Sequence, residues 1–146
     1  MYFKKIFLLI FSFLFLHFSV NADVLLPKLI SDGMVLQRDA KVSVWGWSSP
    51  AEKVTVNVAG NQYKCVANKA GEWSVRLRPQ KAGGPYSIEI KGQNNAIKIN
   101  NVLFGDVWLC SGQSNMELPM RRVKPLYESE IQNANNSNIR YFAVPQ

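Results

Sequence analysis

The sequence predicts an antiparallel β-sandwich followed by the opening β-α-β unit of a doubly wound α/β domain. Two observations lead to this prediction. Apolar residues alternate with polar ones from Val42 to Ile99, and after Asn101 the alternation gives way to a continuous apolar run and then to helical spacing. Alternation with period two is typical of half-buried strands. A run that is apolar at every position is typical of a strand covered on both faces, as in a parallel sheet.

The alternating runs are separated by turn residues, and each run predicts one short strand. Strands at this spacing favour a sandwich of about 75 residues, which we place at residues 23–100. Leu25 to Gln37 is expected to add a first, irregular strand, while Trp45 and Trp47 occupy the face opposite Val44. The residues that share a face within each run are Val42, Val44 and Gly46; Val54, Val56 and Val58; Tyr63, Cys65 and Ala67; Trp73, Val75 and Leu77; Tyr86, Ile88 and Ile90; and Ile97 and Ile99.

Residues 101–146 predict the start of a second domain. The strand, turn, helix and strand expected there open a doubly wound fold, but 46 residues are fewer than the roughly 50 at which domains begin. The sequence is therefore expected to be the beginning of a longer protein. The predicted elements are a buried strand at Val107 to Cys110, a turn at Ser111 to Ser114, a short helical start at Asn115 to Met120, a helix from Pro125 with Tyr127, Ile131 and Ala134 on one face, and a strand at Ile139 to Val144.

Residues 1–22 have the features of a cleaved secretory signal peptide. Lys4 and Lys5 precede an apolar run from Ile6 to Leu16, and Val20-Asn21-Ala22 offers small residues at the cleavage site. The apolar run is shorter than the ~20 residues that a membrane-spanning helix needs. We therefore expect a secreted or periplasmic protein without a stable membrane anchor.

Composition excludes several classes of site. Cleavage after residue 22 would leave 124 of the 146 residues. The mature chain would then carry 15 of the 17 basic residues and all 10 acidic ones, for a net charge of +5. So small an excess of positive charge is weak evidence for nucleic-acid binding, and no nucleic-acid partner is expected. The single histidine, His17, leaves with the signal peptide, and only Cys65 and Cys110 are cysteines. We expect no cofactor and no metal site, and the oligomeric state stays open.

Ser114 is the strongest candidate for catalysis. It follows Gly112 in a predicted turn between a buried strand and a helix, where a hydroxyl can face solvent beside backbone N–H groups that could hold an oxyanion. A second interpretation is structural, because Ser114 and Glu117 have the S-x-x-E spacing of a capping box. Met116 stands where a G-x-S-x-G nucleophile elbow has its second glycine, so that motif is disfavoured.

The residues from Gly105 to Glu117, GDVWLCSGQSNME, resemble the first conserved block of the sialate O-acetylesterases, which are secreted carbohydrate esterases of the SGNH-hydrolase type. Similar blocks lie upstream, at Ser31 to Arg38, Val44 to Gly46, Gly71 to Val75 and Lys81 to Tyr86. The resemblance spans nearly all of residues 25–146. It implies a β-sandwich ahead of a flavodoxin-like catalytic domain that is incomplete here.

The same resemblance implies that Ser114 is the nucleophile and that its backbone N–H belongs to the oxyanion hole. It also implies an O-acetylated sugar as substrate, either a sialic acid or a polysaccharide. Enzymes of this kind take a histidine, oriented by an aspartate, from a block near the far C-terminus, which these residues do not include. Since loss of a triad member costs orders of magnitude in rate, the chain alone is expected to be inactive. The rival hypothesis is a secreted, non-catalytic β-sandwich that binds glycans or a protein partner.

Three further features have two interpretations each. Asp106 is either a catalytic acid or a solvated carboxylate at a strand edge, and we favour the latter. Arg121, Arg122 and Lys124 either meet the carboxylate of a sialic acid or form a solvated basic loop, and we favour the loop. Trp45, Trp47 and Trp73 either stack on sugars or have a core or half-buried role in the sandwich, and we favour the latter. Asn135-Asn136-Ser137 fits the N-glycosylation sequon.

Overall fold

The computed structural model describes residues 22–144, and strands dominate its first two thirds. The strands are β1 (Val35–Gln37), β2 (Val42–Trp47), β3 (Lys53–Val58), β4 (Asn61–Val66), β5 (Glu72–Leu77), β6 (Gly83–Lys91) and β7 (Ala96–Gly105). They are followed by three short 3-10 turns, η1 (Ser114–Glu117), η2 (Met120–Arg122) and η3 (Lys124–Leu126), and by one helical turn, α1 (Glu128–Asn133). The predicted alternating strands are thereby confirmed.

The strands form a five-stranded sheet in the order β1-β7-β6-β3-β4 and a two-stranded sheet of β2 and β5. The expectation of a purely antiparallel arrangement is wrong in one place, because β1 pairs with β7 in parallel, Val35 facing Leu103 and Gln37 facing Gly105. The irregular first segment also contributes a single bridge from Leu25 to Trp47, at the edge of the small sheet. The large sheet is therefore mixed.

One hydrophobic core joins the two sheets, because alternate residues of each strand face inward. The small sheet contributes Val44, Trp73, Val75 and Leu77, while Trp45 and Trp47 face outward as predicted. Gly46 lies where the segment that contains Leu25 runs beside β2. A Cβ at Gly46 would collide with the carbonyl oxygen of Leu25 and would lie 2.9 Å from the ring of Trp73. The buried residues of the large sheet are Leu36, Val54, Val56, Val58, Ile88, Ile90, Ile99, Val102 and Phe104.

A buried carboxylate ties two turns together at one end of the sheets. Glu52 accepts a hydrogen bond from the backbone N–H of Ser49 at 3.0 Å and another from that of Gln93 at 2.7 Å. Buried polar groups stay satisfied in this way because an unpaired one costs about 1–3 kcal/mol. The side-chain amide of Asn95 accepts a hydrogen bond from the N–H of Val24 and donates one to the carbonyl oxygen of Val24. The first described residues are thereby fixed against the same end of the sheets.

Strand β7 continues past the predicted domain boundary between residues 100 and 101. A β-bulge lies at that point, since Ile88 pairs with Ile99 but Tyr86 pairs with Val102, and Asn101 has a φ of +58°. A bulge inserts an extra residue and bends the strand without ending it. The large sheet therefore ends at Gly105, and the division into domains stays a prediction.

Two predicted strands are not formed in residues 106–144. Val107 to Cys110 and Ile139 to Val144 have no strand pairing, and Trp108 and Leu109 are 86% and 88% exposed. An apolar run becomes a buried strand only where neighbours cover both of its faces, and the described residues provide none there. The predicted helix after Pro125 is shortened to η3 and α1, where Ile131 is half-buried and Tyr127 exposed.

The predicted signal peptide lies outside the described residues except for Ala22. Within residues 22–144, no helix has the length and apolar character needed to cross a bilayer.

Candidate functional site

Ser114 is exposed at the start of η1, at the end of an eight-residue connection from β7 (106–113). The turn is closed by a hydrogen bond of 2.9 Å from the N–H of Met116 to the carbonyl of Gln113. Gly112 leaves room for the Met116 side chain beside the turn, because a Cβ there would lie 3.0 Å from the Cγ of Met116. Gln113 occupies the N-cap, and its side chain makes no capping hydrogen bond. Ser114 is therefore the first residue of the turn in this structure and not the N-cap that the capping-box interpretation places there.

Two side chains at the end of β1 anchor the beginning of this connection. The Gln37 Oε1 atom accepts a hydrogen bond of 3.0 Å from the N–H of Val107. Arg38 donates from Nε to Asp106 Oδ1 at 2.9 Å and from its backbone N–H to Gly105 at 2.8 Å. The conformation of the chain that leads to Ser114 is thus fixed where it leaves the sheet.

Asp106 is a half-exposed partner of Arg38, as the structural interpretation of this residue predicts. Asp106 raises the pKa of the Arg38 guanidinium, first by its hydrogen bond and then by its charge. Arg38 also contacts Asp39, which Lys81 meets at 2.7 Å. The Lys81 hydrogen bond lowers the pKa of Asp39. This chain of exposed ions positions the loop, and Asp106 contacts Arg38 rather than Ser114.

Arg140 provides a second anchor that the sequence did not predict. Its guanidinium donates to the carbonyl of Gly33 at 2.7 Å, to Asn101 Oδ1 at 2.8 Å and also to the carbonyl of Asn101. The segment after α1 is thereby fastened to the bulge in β7. Arginine suits this role because its planar guanidinium presents several donors at fixed angles. The one indication in the sequence was the family-like block from Ser31 to Arg38, because the anchoring residues Gly33, Gln37 and Arg38 all belong to it.

The Ser114 hydroxyl has no hydrogen-bond partner among the described residues, and no histidine occurs after His17 in the sequence. A serine hydroxyl becomes a strong nucleophile only beside a base that takes its proton. The described part of the chain also contains no cluster of three or more His, Cys, Asp or Glu side chains able to hold a metal ion. The geometry therefore presents an exposed hydroxyl on a turn at the end of a connection that is anchored where it leaves the sheet, without supplying the base.

The basic residues after Ser114 are exposed. Arg121 and Arg122 lie in η2, and Lys124 pairs with Glu128 at 3.3 Å, one helical turn further on. This agrees with the solvated basic loop predicted for them. The sequon residues Asn135 and Asn136 are also exposed, and Asn136 Oδ1 accepts the N–H of Asn138 at 3.0 Å.

A shallow depression of about 290 Å³ lies on the outer face of the small sheet, and Ser114 does not line it. The rings of Trp45 and Trp47 meet edge to face with centroids 5.3 Å apart, and the two residues are 39% and 40% exposed. Trp73 lies in the core instead, at 3% exposure. The predicted core or half-buried role is thus found for all three tryptophans, Trp73 in the core and the other two half-exposed. The outward side chains beside the depression are Trp45, Trp47, Asn68, Glu72 and Ser74.

Both cysteines are free thiols. Cys65 is half-buried in β4, and its burial raises the pKa of the thiol. Cys110 is exposed in the connection that leads to Ser114. No disulfide joins Cys65 and Cys110 in this structure.

Comparison with solved structures defines the class of protein. The chain matches the crystal structure of a novel carbohydrate acetylesterase from Xanthomonas citri with a TM-score of 0.66 and 44% sequence identity. The match covers 68% of this chain and 23% of that one. At this identity both the fold and the sequence place the chain among carbohydrate-esterase-like proteins.

Curated relatives narrow the class. The chain is 33% identical to the sialate O-acetylesterase of Mus musculus over 126 residues, 79% of this chain and 23% of the relative. It is 38% identical to that of Homo sapiens over 105 residues, 64% of this chain and 20% of the relative. No family model matches. The sequence is accordingly sialate O-acetylesterase-like, as its motifs predict, and spans about a fifth of the length of these relatives.

Proposed function

We propose that this chain is the N-terminal part of a secreted esterase that removes O-acetyl groups from sialic acids or related sugars, with Ser114 as its nucleophile. The observation that carries the proposal is an exposed Ser114 on a turn after the anchored end of β7, within a chain whose relatives are named sialate O-acetylesterase and carbohydrate acetylesterase. In this proposal the two sheets form a sandwich, and residues 101–146 begin an SGNH-type domain.

The proposed reaction is an acyl transfer in two steps. Ser114 Oγ attacks the acetyl carbonyl carbon as a base removes its proton, and the sugar oxygen departs as a hydroxyl when that base returns the proton. Water then hydrolyses the acetyl-serine to acetate. The N–H of Ser114 would stabilise the negatively charged oxygen in each step.

The proposed base is a histidine, and it comes from outside residues 23–146 because these contain none. We therefore expect the chain by itself to hydrolyse acetyl esters no faster than its Ser114→Ala variant. In a longer protein that begins with this chain, the same substitution is expected to lower kcat by at least about a thousandfold.

The experiment measures acetate release from O-acetylated sialic acid by the longer protein, its Ser114→Ala variant and a Ser111→Ala control. Loss in the first variant and retention in the control would support Ser114 as nucleophile. Equal rates in all three proteins would overturn the assignment. The binding module remains the second candidate because the Trp45–Trp47 depression is a separate surface, and glycan binding without any hydrolysis would favour it.

Secretion is a further part of the proposal. The signal peptide features predict cleavage between Ala22 and Asp23, and N-terminal sequencing of exported protein checks this. A first residue of Met1 would contradict it.

A further inference from the structure

The outer face of the small sheet brings two indoles and a carboxylate together. The register of β2 and β5 sets Trp45 opposite Ser74 and Trp47 opposite Glu72. All four side chains point away from the core, because residues opposite one another in a sheet share a face. The result is an apolar floor of about two rings with hydrogen-bonding groups along one strand.

These side chains are held in place before any ligand arrives. Trp47 exchanges backbone hydrogen bonds with Leu25 at 2.8 and 2.9 Å, and its ring packs edge to face on Trp45. The Oδ1 atom of Asn68 accepts a hydrogen bond of 2.9 Å from the backbone N–H of Glu72, and its Nδ2 atom donates one of 2.9 Å to the Glu72 carboxylate. Such preorganisation lowers the entropy that binding would otherwise lose.

The chemistry of this surface matches a pyranose ring. Ring faces made of C–H groups pack on indoles, while a carboxylate and a hydroxyl bind sugar hydroxyl groups, which is the usual mixture in a small-molecule site. A volume of about 290 Å³ lies near the lower end of the range for ligand pockets. The depression therefore has room for one or two sugar units.

The negative charge of Glu72 favours a neutral sugar over an anionic sugar, and a sugar over a protein, as the ligand of this depression. Among the described residues that line the depression, Glu72 alone is charged, so an anionic sugar would be repelled while a neutral one could donate hydroxyl hydrogens to it. A protein surface docked here would bury the Glu72 carboxylate and would have to bring a compensating cation. A neutral sugar meets the carboxylate without that requirement.

We propose that the Trp45–Trp47 depression is a binding subsite for a neutral pyranose unit of a glycan, separate from Ser114. The inference rests on the proposed function for the idea that glycans are what this protein meets. It adds a second contact, by which the protein would hold the neutral part of a chain whose acetylated sugar is processed elsewhere.

The test is a titration of the folded chain followed through the indole N–H signals in ¹H–¹⁵N NMR spectra. The probes are xylotetraose, N-acetyllactosamine and free N-acetylneuraminic acid, and each tryptophan signal is assigned by substitution. We expect saturable shifts at Trp45 and Trp47 with at least one neutral probe and none with N-acetylneuraminic acid. Trp108, exposed but outside the depression, should not shift.

Variants locate the site. Trp45→Ala and Trp47→Ala should each weaken binding by about tenfold, whereas the matched control Trp108→Ala should leave it unchanged. Trp47→Phe retains an aromatic face and should bind at an intermediate level, which separates stacking from a folding defect. Glu72→Gln should weaken binding less and should reduce discrimination against N-acetylneuraminic acid.

The absence of saturable shifts with both neutral probes would overturn the proposal, as would shifts confined to Trp108. Protection of Trp45 and Trp47 from solvent by the remainder of a longer protein would also overturn it. Ser114→Ala should not affect sugar binding. Hydrolysis that depends on Ser114 without these shifts would therefore refute the subsite alone, and binding without hydrolysis would refute the proposed reaction alone.

Discussion

Residues 24–105 and residues 106–144 have similar apolar content in sequence but differ in what covers it. In the first region the apolar side chains of two sheets bury one another, and Leu77 is 1% exposed. In the second region Trp108, Leu109 and Tyr141 are almost fully exposed, and only short turns form. Hydrophobic residues stabilise a fold only where a partner surface removes them from water. The first region contains its own partners, and the second does not among the described residues.

The largest expected effect comes from where the first region is cut. A chain of residues 23–106 should unfold cooperatively, whereas one of residues 23–100 should not, because it lacks buried Val102 and Phe104 and the strand that pairs with β1. Thermal unfolding followed by circular dichroism measures this. Cooperative unfolding of the shorter chain would show that the boundary at residue 100 is correct and that the end of β7 is dispensable.

A single leucine in each region sharpens the comparison. Leu77→Ala should lower the free energy of unfolding by about 2–5 kcal/mol, because it removes buried contacts and leaves a cavity. The matched change Leu109→Ala should alter it by less than about 0.5 kcal/mol. Urea unfolding of both variants measures the difference. A comparable loss in Leu109→Ala would mean that the second region is packed against something in solution.

Arg140 is the contact by which the two regions can be uncoupled. Arg140→Ala removes the hydrogen bonds to Gly33 and Asn101, so proteolysis within residues 106–144 should accelerate by about tenfold. The unfolding midpoint of the first region should change little, and Arg122→Ala serves as the control. Unchanged cleavage in Arg140→Ala would show that the segment is held by other contacts.

The two thiols give the smallest effect. At mildly alkaline pH, Cys110 should react with a thiol reagent at the rate of an exposed cysteine. Cys65 should react at least several-fold more slowly, because burial raises its pKa and leaves less thiolate at a given pH. The difference should shrink as the pH rises through the pKa of Cys65. Mass spectrometry of alkylated peptides measures both rates, and equal rates would indicate that β4 opens readily.

The sequence predicted the strands from β2 to β7 because period two is a local property, visible in runs such as Val54, Val56 and Val58. It could not predict the parallel pairing of β1 with β7, since nothing local distinguishes that partner from another strand. The strand at Val107 to Cys110 was a wrong prediction for a related reason: an apolar run indicates burial but does not name the covering surface.

For the site, the sequence identified Ser114 through the chemistry of its turn and through its family motif. The anchors Gln37, Arg38 and Arg140 escaped prediction because they are ordinary polar residues whose partners lie 39 to 107 positions away along the chain. The local pattern carries no information about such distant pairs. Only the motif from Ser31 to Arg38 hinted that this segment mattered.

The parallel pairing of β1 with β7 has a consequence for synthesis on the ribosome. Val35 pairs with Leu103, which is added 68 positions later. At about 5–20 residues per second, β1 therefore waits roughly 3–14 seconds for its partner strand. At the end of that interval, after β6 has been made and before β7 is complete, the nascent sheet presents β6 as an open edge, with the inner faces of Ile88 and Ile90 only partly covered. A chaperone that binds short apolar strands could bind the sheet during this time, until Gly105 has emerged and β7 has paired with β6 and β1.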